Sequence, residues 1–474
     1  MSPRLSRAGA RGRTAAPVRL VHLGLGGFFR AHPCWYTEHA ADAAGWGIAA
    51  FTGRGNHALV RALGEQDGLY TLISRGSEAD AFEVLGCLVR AHPAADHQAW
   101  LRYFEAPDLA AVTITVTEAG YFRGAGGGLD LDRPEVQADA QALRRDPAAL
   151  VRTAPARLVA GLAARWRSGA GPLALVPCDN IPGNGALAER VIGDLAELVD
   201  PDLMAWLKDS VAVATTVVDR ITPRPRPADA RAVLESTGLD DRCPVVTEPF
   251  HEWVLSGAFP AGRPHWEDAG ALVTDDPAPY EHRKLWLLNG AHSLLAYAGS
   301  IRGHATVAQA AADETCRAWL EEWWDVACAH LDQPPADLSS YRAALLERFG
   351  NVRIADRLDR IAADGSQKLP IRILPVLRAE RAAGQLPAAA TRVLAAWVCH
   401  LRGLGAPVSD ARADQVVPLA AGRLWTAVPR ILGWLDQDLG TDADVVAIVI
   451  DQSEQLVLSR PSEVRVTGNP LRFR

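Results

Sequence analysis

Five short apolar runs in the first half of the chain, VRLVHLG, GIAAFTG, AVTITVT, PLALVPC and VAVATTVV, are separated by longer segments of helical pattern. Strands buried on both faces need continuous apolar runs of this length, so the alternation constrains this half to a parallel sheet with crossover helices. From about residue 276 the character changes to long Ala/Leu-rich helical segments, such as ATVAQAAADETCRAWLEEWWDVACAHL and AATRVLAAWVCHLRGLG, with few strand-like runs. The change falls at DDPAPYEHRK, where Pro277 and Pro279 end one unit and lead into a helix. The fold class expected is α/β: a parallel-sheet domain over 17–276, then a mainly α-helical domain over 277–474.

A chain of 474 residues exceeds one compact core and suits two or three domains. A net charge of −7 with 49% hydrophobic residues describes a soluble globular protein without a broad basic surface for nucleic acid. Seven scattered cysteines (34, 87, 178, 243, 316, 328 and 399) include no CxxC pair, which favours a reducing, cytoplasmic setting and disfavours a disulfide framework or thiolate zinc site. No stretch approaches the roughly 20 apolar residues of a membrane span. VVAIVI, at 445–450, has the length of a strand or a buried helix segment. The opening MSPRLSRAGARGRTAAP is rich in arginine and free of acids, but has no amphipathic face. Residues 1–16 therefore read as a disordered tail, or as a start placed too early.

KLWLLNGAH sets Lys284, Asn289 and His292 among leucines and a tryptophan. On an α-helix, Asn289 and His292 lie about 140° and 80° round from Lys284, so one arc holds all three. The rest of the circumference is apolar, as on a buried helix. An unpartnered buried amine carries a large desolvation cost, so the three groups either satisfy one another or line a site. Lysine is scarce: of 49 basic residues only Lys208, Lys284 and Lys368 are lysines. Arginine cannot deprotonate, whereas burial readily lowers a lysine pKa into the range of a general base. A lysine snorkelling from a helix end is the competing reading.

The first apolar run leads into glycines at 24, 26 and 27. Strand, glycine turn and helix N-terminus present backbone N–H groups to a pyrophosphate, although glycine turns after strands are common. The spacing is GxGG, with Phe29 where a third glycine would complete GxGxxG. The second strand ends at Arg54, Gly55 and Asn56, where an NAD enzyme usually presents an acid. An arginine without an acid there leans towards accepting NADP; a solvent-facing loop arginine is equally compatible. VPCDNIPGNG places Asp179 and Asn180 at the carboxyl end of a strand, where ligands bind in open α/β sheets and where ordinary turns also form. VVDRITP repeats this with Val218, Asp219 and Arg220.

Taken in order, GLGGFFRAH, TVTEAGY, PCDNIPGNG, VDRITP, EPFHEWV, FPAGRPHWE and KLWLLNGAH resemble the mannitol 2-dehydrogenase family, the polyol-specific long-chain dehydrogenases, from about residue 18 to beyond 368. Phe29 departs from it, since many relatives have histidine there, and so does the missing acid after the second strand. The resemblance implies an N-terminal Rossmann-type domain and a helical C-terminal domain with the site between them. It also implies NAD or NADP as cofactor, with NAD favoured, and no metal. The activity implied is interconversion of a sugar alcohol and a ketose of the mannitol/fructose type.

By the same resemblance Lys284 is the general base, Asn180 and Asn289 donate hydrogen bonds to the reacting oxygen, and His292 holds a neighbouring hydroxyl. Gly24, Gly26, Gly27, Phe28 and Arg54 belong to the cofactor site, with Val218 and Asp219 near the nicotinamide and ribose. RIAADGSQK nominates Arg360 and Lys368 for the substrate. Glu281, one turn before Lys284, is a candidate proton relay or a surface ion-pair partner. Hexuronate (fructuronate or tagaturonate) reductases and mannitol 1-phosphate dehydrogenases share the lysine motif but need an extra cation, which Arg360 or Lys368 would supply. A dinucleotide-binding sensor is the non-enzyme alternative; it would need only the glycine turn. The partner implied is a small-molecule polyol or ketose, with neither nucleic acid nor membrane. A monomer is compatible with everything in the sequence.

Overall fold

The continuous apolar runs GIAAF, AVTI and LALVP are buried along their whole length, and the chain forms strands there and at other, less uniformly buried segments. In a computed structural model describing residues 3–9, 13–53, 55–124 and 126–459, six of them form one sheet. They are β1 (Val18–Leu23), β2 (Gly47–Phe51), β3 (Leu88–His92), β4 (Ala111–Ile114), β5 (Leu173–Pro177) and β6 (Val211–Val213). Their order across the sheet is β3-β2-β1-β4-β5-β6, and every neighbouring pair is parallel. This is the doubly wound Rossmann order, in which the chain reverses direction across the sheet between β1 and β4.

Alternate residues of each strand feed opposite faces. Val21, Leu23, Ala49, Phe51, Val112 and Ile114 pack with the helices Ala154–Ser168 and Asn184–Val199. Leu20, Ile48, Ala50, Ala111, Ala174 and Val176 enter a second core with Tyr36, Trp253 and Trp266. Arg165, only 1% exposed, closes the first layer by donating to the carbonyls of Phe104, Ala106, Leu109, Ala170, Gly171 and Pro172 at 2.7–3.2 Å.

Three features differ from the sequence reading. VAVATTVV is not one strand: β6 stops at Val213, and Thr215–Asp219 leaves the sheet to pair antiparallel with Glu252–Ser256. The break is held by Asn184, whose side chain accepts from Thr216 N at 2.9 Å and donates to Thr216 O at 2.9 Å. Second, YTLISR and DAFEVL form an antiparallel hairpin, Tyr70–Arg75 with Asp80–Leu85, beside Val245–Thr247. Third, in the described part of the opening segment Leu5 is fully buried, and Arg7 donates to Gly86 O at 2.6 Å. Composition suggested a tail there; one buried leucine and a multiply bonded arginine fasten it.

The chain divides into two units, Met1–Pro277 and Ala278–Arg474. The second is helical. Ala388–Leu401, buried at every position but Ala388 and Arg392, packs against Ala443–Leu458, the helix that contains VVAIVI. Its other elements include Glu314–Cys328, Pro335–Gly350 and Gly365–Arg372. The segment Ala278–Gly299 is not uniformly α-helical: Ala278–Arg283 leads into a π-helix over Lys284–Gly290, an α turn over Ala291–Leu294 and a second π stretch over Leu295–Gly299. Among the described residues no helix is long and apolar enough to cross a membrane.

Candidate active site

The glycine turn sits at the carboxyl end of β1, beside the point where the strand order reverses. Gly24 has φ +117°, and a Cβ there would lie 1.8 Å from Thr115 O, so no other residue fits. Its N–H and that of Leu25 both donate to Phe51 O at 2.9 Å, which ties the turn to β2. Gly26 and Gly27 are half-exposed, and a Cβ on either would meet nothing nearer than 3.5 Å. Packing does not demand glycine at these two positions; backbone left open on that side suits the close approach of a pyrophosphate.

Phe29, in the third glycine's place, is fully buried and stacks on His22, with ring centroids 3.5 Å apart and planes at 7°. His22 bonds Thr113 Oγ1 at 2.8 Å and Thr115 Oγ1 at 2.9 Å, and burial pushes its pKa down to about 3, so the ring is neutral. An aromatic stack thus supports the start of the helix Gly27–Ala31. Phe28 is half-buried and stacks on His32 at 5.0 Å. Arg54 lies outside the described residues, and Asn56 caps the helix His57–Glu65 by accepting from Leu59 N at 3.3 Å.

At the end of β5, Asp179 is 5% exposed and accepts from Val116 N at 2.5 Å and from the Tyr121 hydroxyl. These bonds join PCDN to TVTEAGY. Asn184 Nδ2 donates to Asp179 O at 3.0 Å, fastening the loop that presents the exposed Asn180. Val218 and Asp219 are buried at the end of the strand that left the sheet, opposite Trp253 and Glu252. Burial raises the Asp179 pKa from 3.8 to about 7, against the hydrogen bonds from Tyr121 and Val116.

A folded-state pKa above the unfolded value means stability present below the unfolded pKa and lost as pH rises through the folded one. Wild type is therefore expected to lose stability relative to Asp179→Asn between about pH 4 and about pH 7. Urea midpoints of the two proteins measured across that range test this; parallel profiles would refute the assignment.

In the helical unit, Lys284 is 6% and Asn289 7% exposed. The α-helical angles expected for them do not hold, because Lys284–Gly290 is π-helical. In a π-helix the backbone bond runs from i to i+5. Residues five apart then stand to each other as residues four apart do in an α-helix, on one face and one turn apart. The spacing KxxxxN therefore matches a π turn and mismatches an α turn. His292, half-buried, follows on the α turn with its ring 5.0 Å from that of Phe349. Glu281 is half-buried on Ala278–Arg283, and the guanidinium of Arg283 lies 4.2 Å over the Tyr341 ring.

The two substrate candidates differ in setting. Lys368 is half-buried and donates to Ile361 O at 3.2 Å and Ala363 O at 2.5 Å. Its pKa is pushed down to about 8, first by burial and then by the charge of Arg372. Arg360 has 63% of its side chain exposed and pairs with Asp356 at 2.5 Å. Sequence reasoning missed Arg372, whose Nη1 donates to Asn289 O and Ser293 Oγ at 3.3 Å. It sits four residues after Lys368, and that helical spacing was the available signal. Among the described residues His304, Asp313 and Cys316 come close enough together to hold a cation, but Arg302 occupies the Asp313 carboxylate at 2.8 Å.

The sheet order and glycine turn define a Rossmann-type dinucleotide-binding unit, followed by a helical unit bearing a buried lysine. The family model described as the mannitol dehydrogenase Rossmann domain matches residues 18–268, and that of the mannitol dehydrogenase C-terminal domain matches 276–451. The chain belongs to the mannitol dehydrogenase family. It is 37% identical over 398 residues to D-arabinitol 4-dehydrogenase of Ralstonia nicotianae, covering 82% of this chain and 84% of that one. It is 36% identical over 369 residues to D-mannonate oxidoreductase of Escherichia coli, covering 76% and 75%. The structure of Pseudomonas fluorescens mannitol 2-dehydrogenase in ternary complex with NAD and D-mannitol superposes with a TM-score of 0.80 at 30% identity, covering 93% and 92%.

Proposed function

We propose that this chain is an NAD(P)-dependent oxidoreductase that interconverts a linear polyol and its ketose, with Lys284 as general base. The observation that carries the reading is the pairing of a buried lysine and a buried asparagine, five residues apart, on one face of a π turn. Oxidising a secondary alcohol needs a base for the hydroxyl proton and a donor to the oxygen as negative charge develops. Lys284 takes the proton at Nζ; the Asn289 amide donates to the same oxygen, and Asn180 is proposed as a second donor. His292 orients a neighbouring hydroxyl, and Glu281 relays the proton outward. NAD(P), when bound, supplies the hydride acceptor. Gly24, Gly26, Gly27 and Phe28 would hold its pyrophosphate, Val218 and Asp219 the nicotinamide end, and Arg54 the adenosine ribose. Lys284 is itself only 6% exposed, on a segment where Leu287, Leu288 and Ala291 are buried, which keeps bulk water from the amine.

The similar proteins named above act on open-chain polyhydroxy compounds, and D-mannitol and D-arabinitol are the leading candidates. An aldonate or hexuronate is the second reading, favoured by the likeness to D-mannonate oxidoreductase and by the half-buried cation Lys368. A rate panel following the reduced nicotinamide, with D-mannitol, D-arabinitol, D-sorbitol, D-mannonate and mannitol 1-phosphate, tests both. Turnover of an uncharged polyol is expected to exceed that of the acids; preference for D-mannonate would shift the reading to the sugar acids, and failure of every compound would refute it.

In the same panel kcat/KM for NAD and NADP is expected to differ by less than about a thousandfold, or roughly 4 kcal/mol, because no acid follows β2. A stronger preference for NAD would mean that an acid elsewhere repels the 2′-phosphate.

A further inference from the structure

The π turn that aligns Lys284 with Asn289 is held by side chains from outside its own segment. Trp323 Nε1 donates to Trp286 O at 2.8 Å, and Trp324 Nε1 donates to Leu287 O at 2.8 Å. Two consecutive, fully buried indoles of the helix Glu314–Cys328 thus bond two consecutive carbonyls of the π-helix. Farther along, Asn289 O also accepts from side chains, from Ser293 Oγ at 3.1 Å and from Arg372 Nη1 at 3.3 Å. Side-chain donors inserted against a helix's carbonyls disturb its i→i−4 ladder and are a recognised cause of departure from α geometry. Gly290 makes room for this approach, since a Cβ there would lie 2.7 Å from Trp323 Cζ2. Trp324 also supports His292 through Phe349, whose ring lies 6.1 Å from the Trp324 ring and 5.0 Å from the His292 ring.

We propose that Trp323 and Trp324 are positioning residues: their indole N–H groups keep Lys284–Gly290 in π geometry and so set the rotation of Asn289 relative to Lys284. Neither touches the reacting atoms. Without the two donors the segment relaxes towards an α turn, and offset five carries Asn289 to about 140° from Lys284. The inference rests on the reading of Lys284 as the base, and its test separates the two.

The variant is Trp323→Phe/Trp324→Phe, which keeps a smaller aromatic ring at each position and removes both donors. The probe is whichever of D-mannitol and D-arabinitol the wild type oxidises faster, with NAD. Turnover is expected to fall by about 10- to 100-fold through misalignment, with the Kd for NAD unchanged. In a Lys284→Ala background the same pair should lower the residual rate by less than about twofold, because residues acting as a unit are not additive. Wild-type turnover in the Phe variant, or an equal fold-loss in both backgrounds, would overturn the proposal.

If Lys284→Ala itself is fully active, the reading of the base fails. The crystal structure of the Phe variant then decides the geometric claim: an α turn over 284–290 supports it and a retained π turn overturns it. If the double variant does not fold, Gly290→Ala keeps both donors but displaces the Trp323 ring. A matching loss of turnover supports the proposal, and wild-type turnover overturns it.

Discussion

Lys284→Ala is expected to fold, bind NAD with near-normal affinity and lose about 10²- to 10⁴-fold in turnover, the usual cost of removing a general base. Leu287, Leu288, Ala291, Leu294 and Leu295 of the same segment are all buried and are left intact by the truncation, so the unit should still fold. Oxidation by the wild type should rise with pH through one ionisation that is absent from the variant, because the base acts only when unprotonated. Stopped-flow turnover together with a thermal melt separates the outcomes: a slow, stable variant supports the assignment, and a fully active one refutes it.

Arg165→Leu is expected to have the largest effect on stability, at least about 3 kcal/mol, since hydrogen bonds to a charged donor are worth about 1.5–3 kcal/mol each and buried acceptors left without partners cost more. Six carbonyls converge on this guanidinium, from the segment before β4 and from the loop between the helix Ala154–Ser168 and β5. Five N–H donors serve them in a fixed planar fork. Arg165→Lys should recover little, because an ammonium offers three donors without that geometry. The chain has two units, so the quantity to follow is the urea transition of the unit Met1–Pro277 rather than one global value. A midpoint unchanged in Arg165→Leu would contradict the role given to this network.

Much of the fold was legible because burial on both faces leaves a continuous apolar signature, as in GIAAF and LALVP, which became β2 and β5. The hairpin YTLISR/DAFEVL was less visible, since the strand Asp80–Leu85 is mostly half-exposed and its polar residues mask the pattern. VAVATTVV hid a strand exchange because apolar character does not encode partner choice; the bonds from Asn184, some thirty residues earlier, decide it. VVAIVI proved helical, and its length alone had left both options open.

In the candidate site the residue types were readable and the helix geometry was not. KxxxxNxxH names the polar groups, but a π turn depends on donors contributed by Trp323, Trp324 and Arg372, which lie far along the sequence. A WW pair within a helix did carry a signal, since a buried indole N–H usually needs an acceptor. Tyr121 and Asp179 stand in two separately recognised motifs, and only the fold shows that one hydroxyl joins them.

The central claim is that Lys284 acts by accepting a proton rather than by presenting a charge. The direct measurement is kcat of Lys284→Arg under saturating cofactor and polyol, compared with Lys284→Ala. Arginine keeps the positive charge and cannot accept the proton. The arginine variant should remain as slow as the alanine variant while binding NAD normally. Recovery of most of the wild-type rate with arginine would show that Lys284 serves as a fixed charge and would contradict the account.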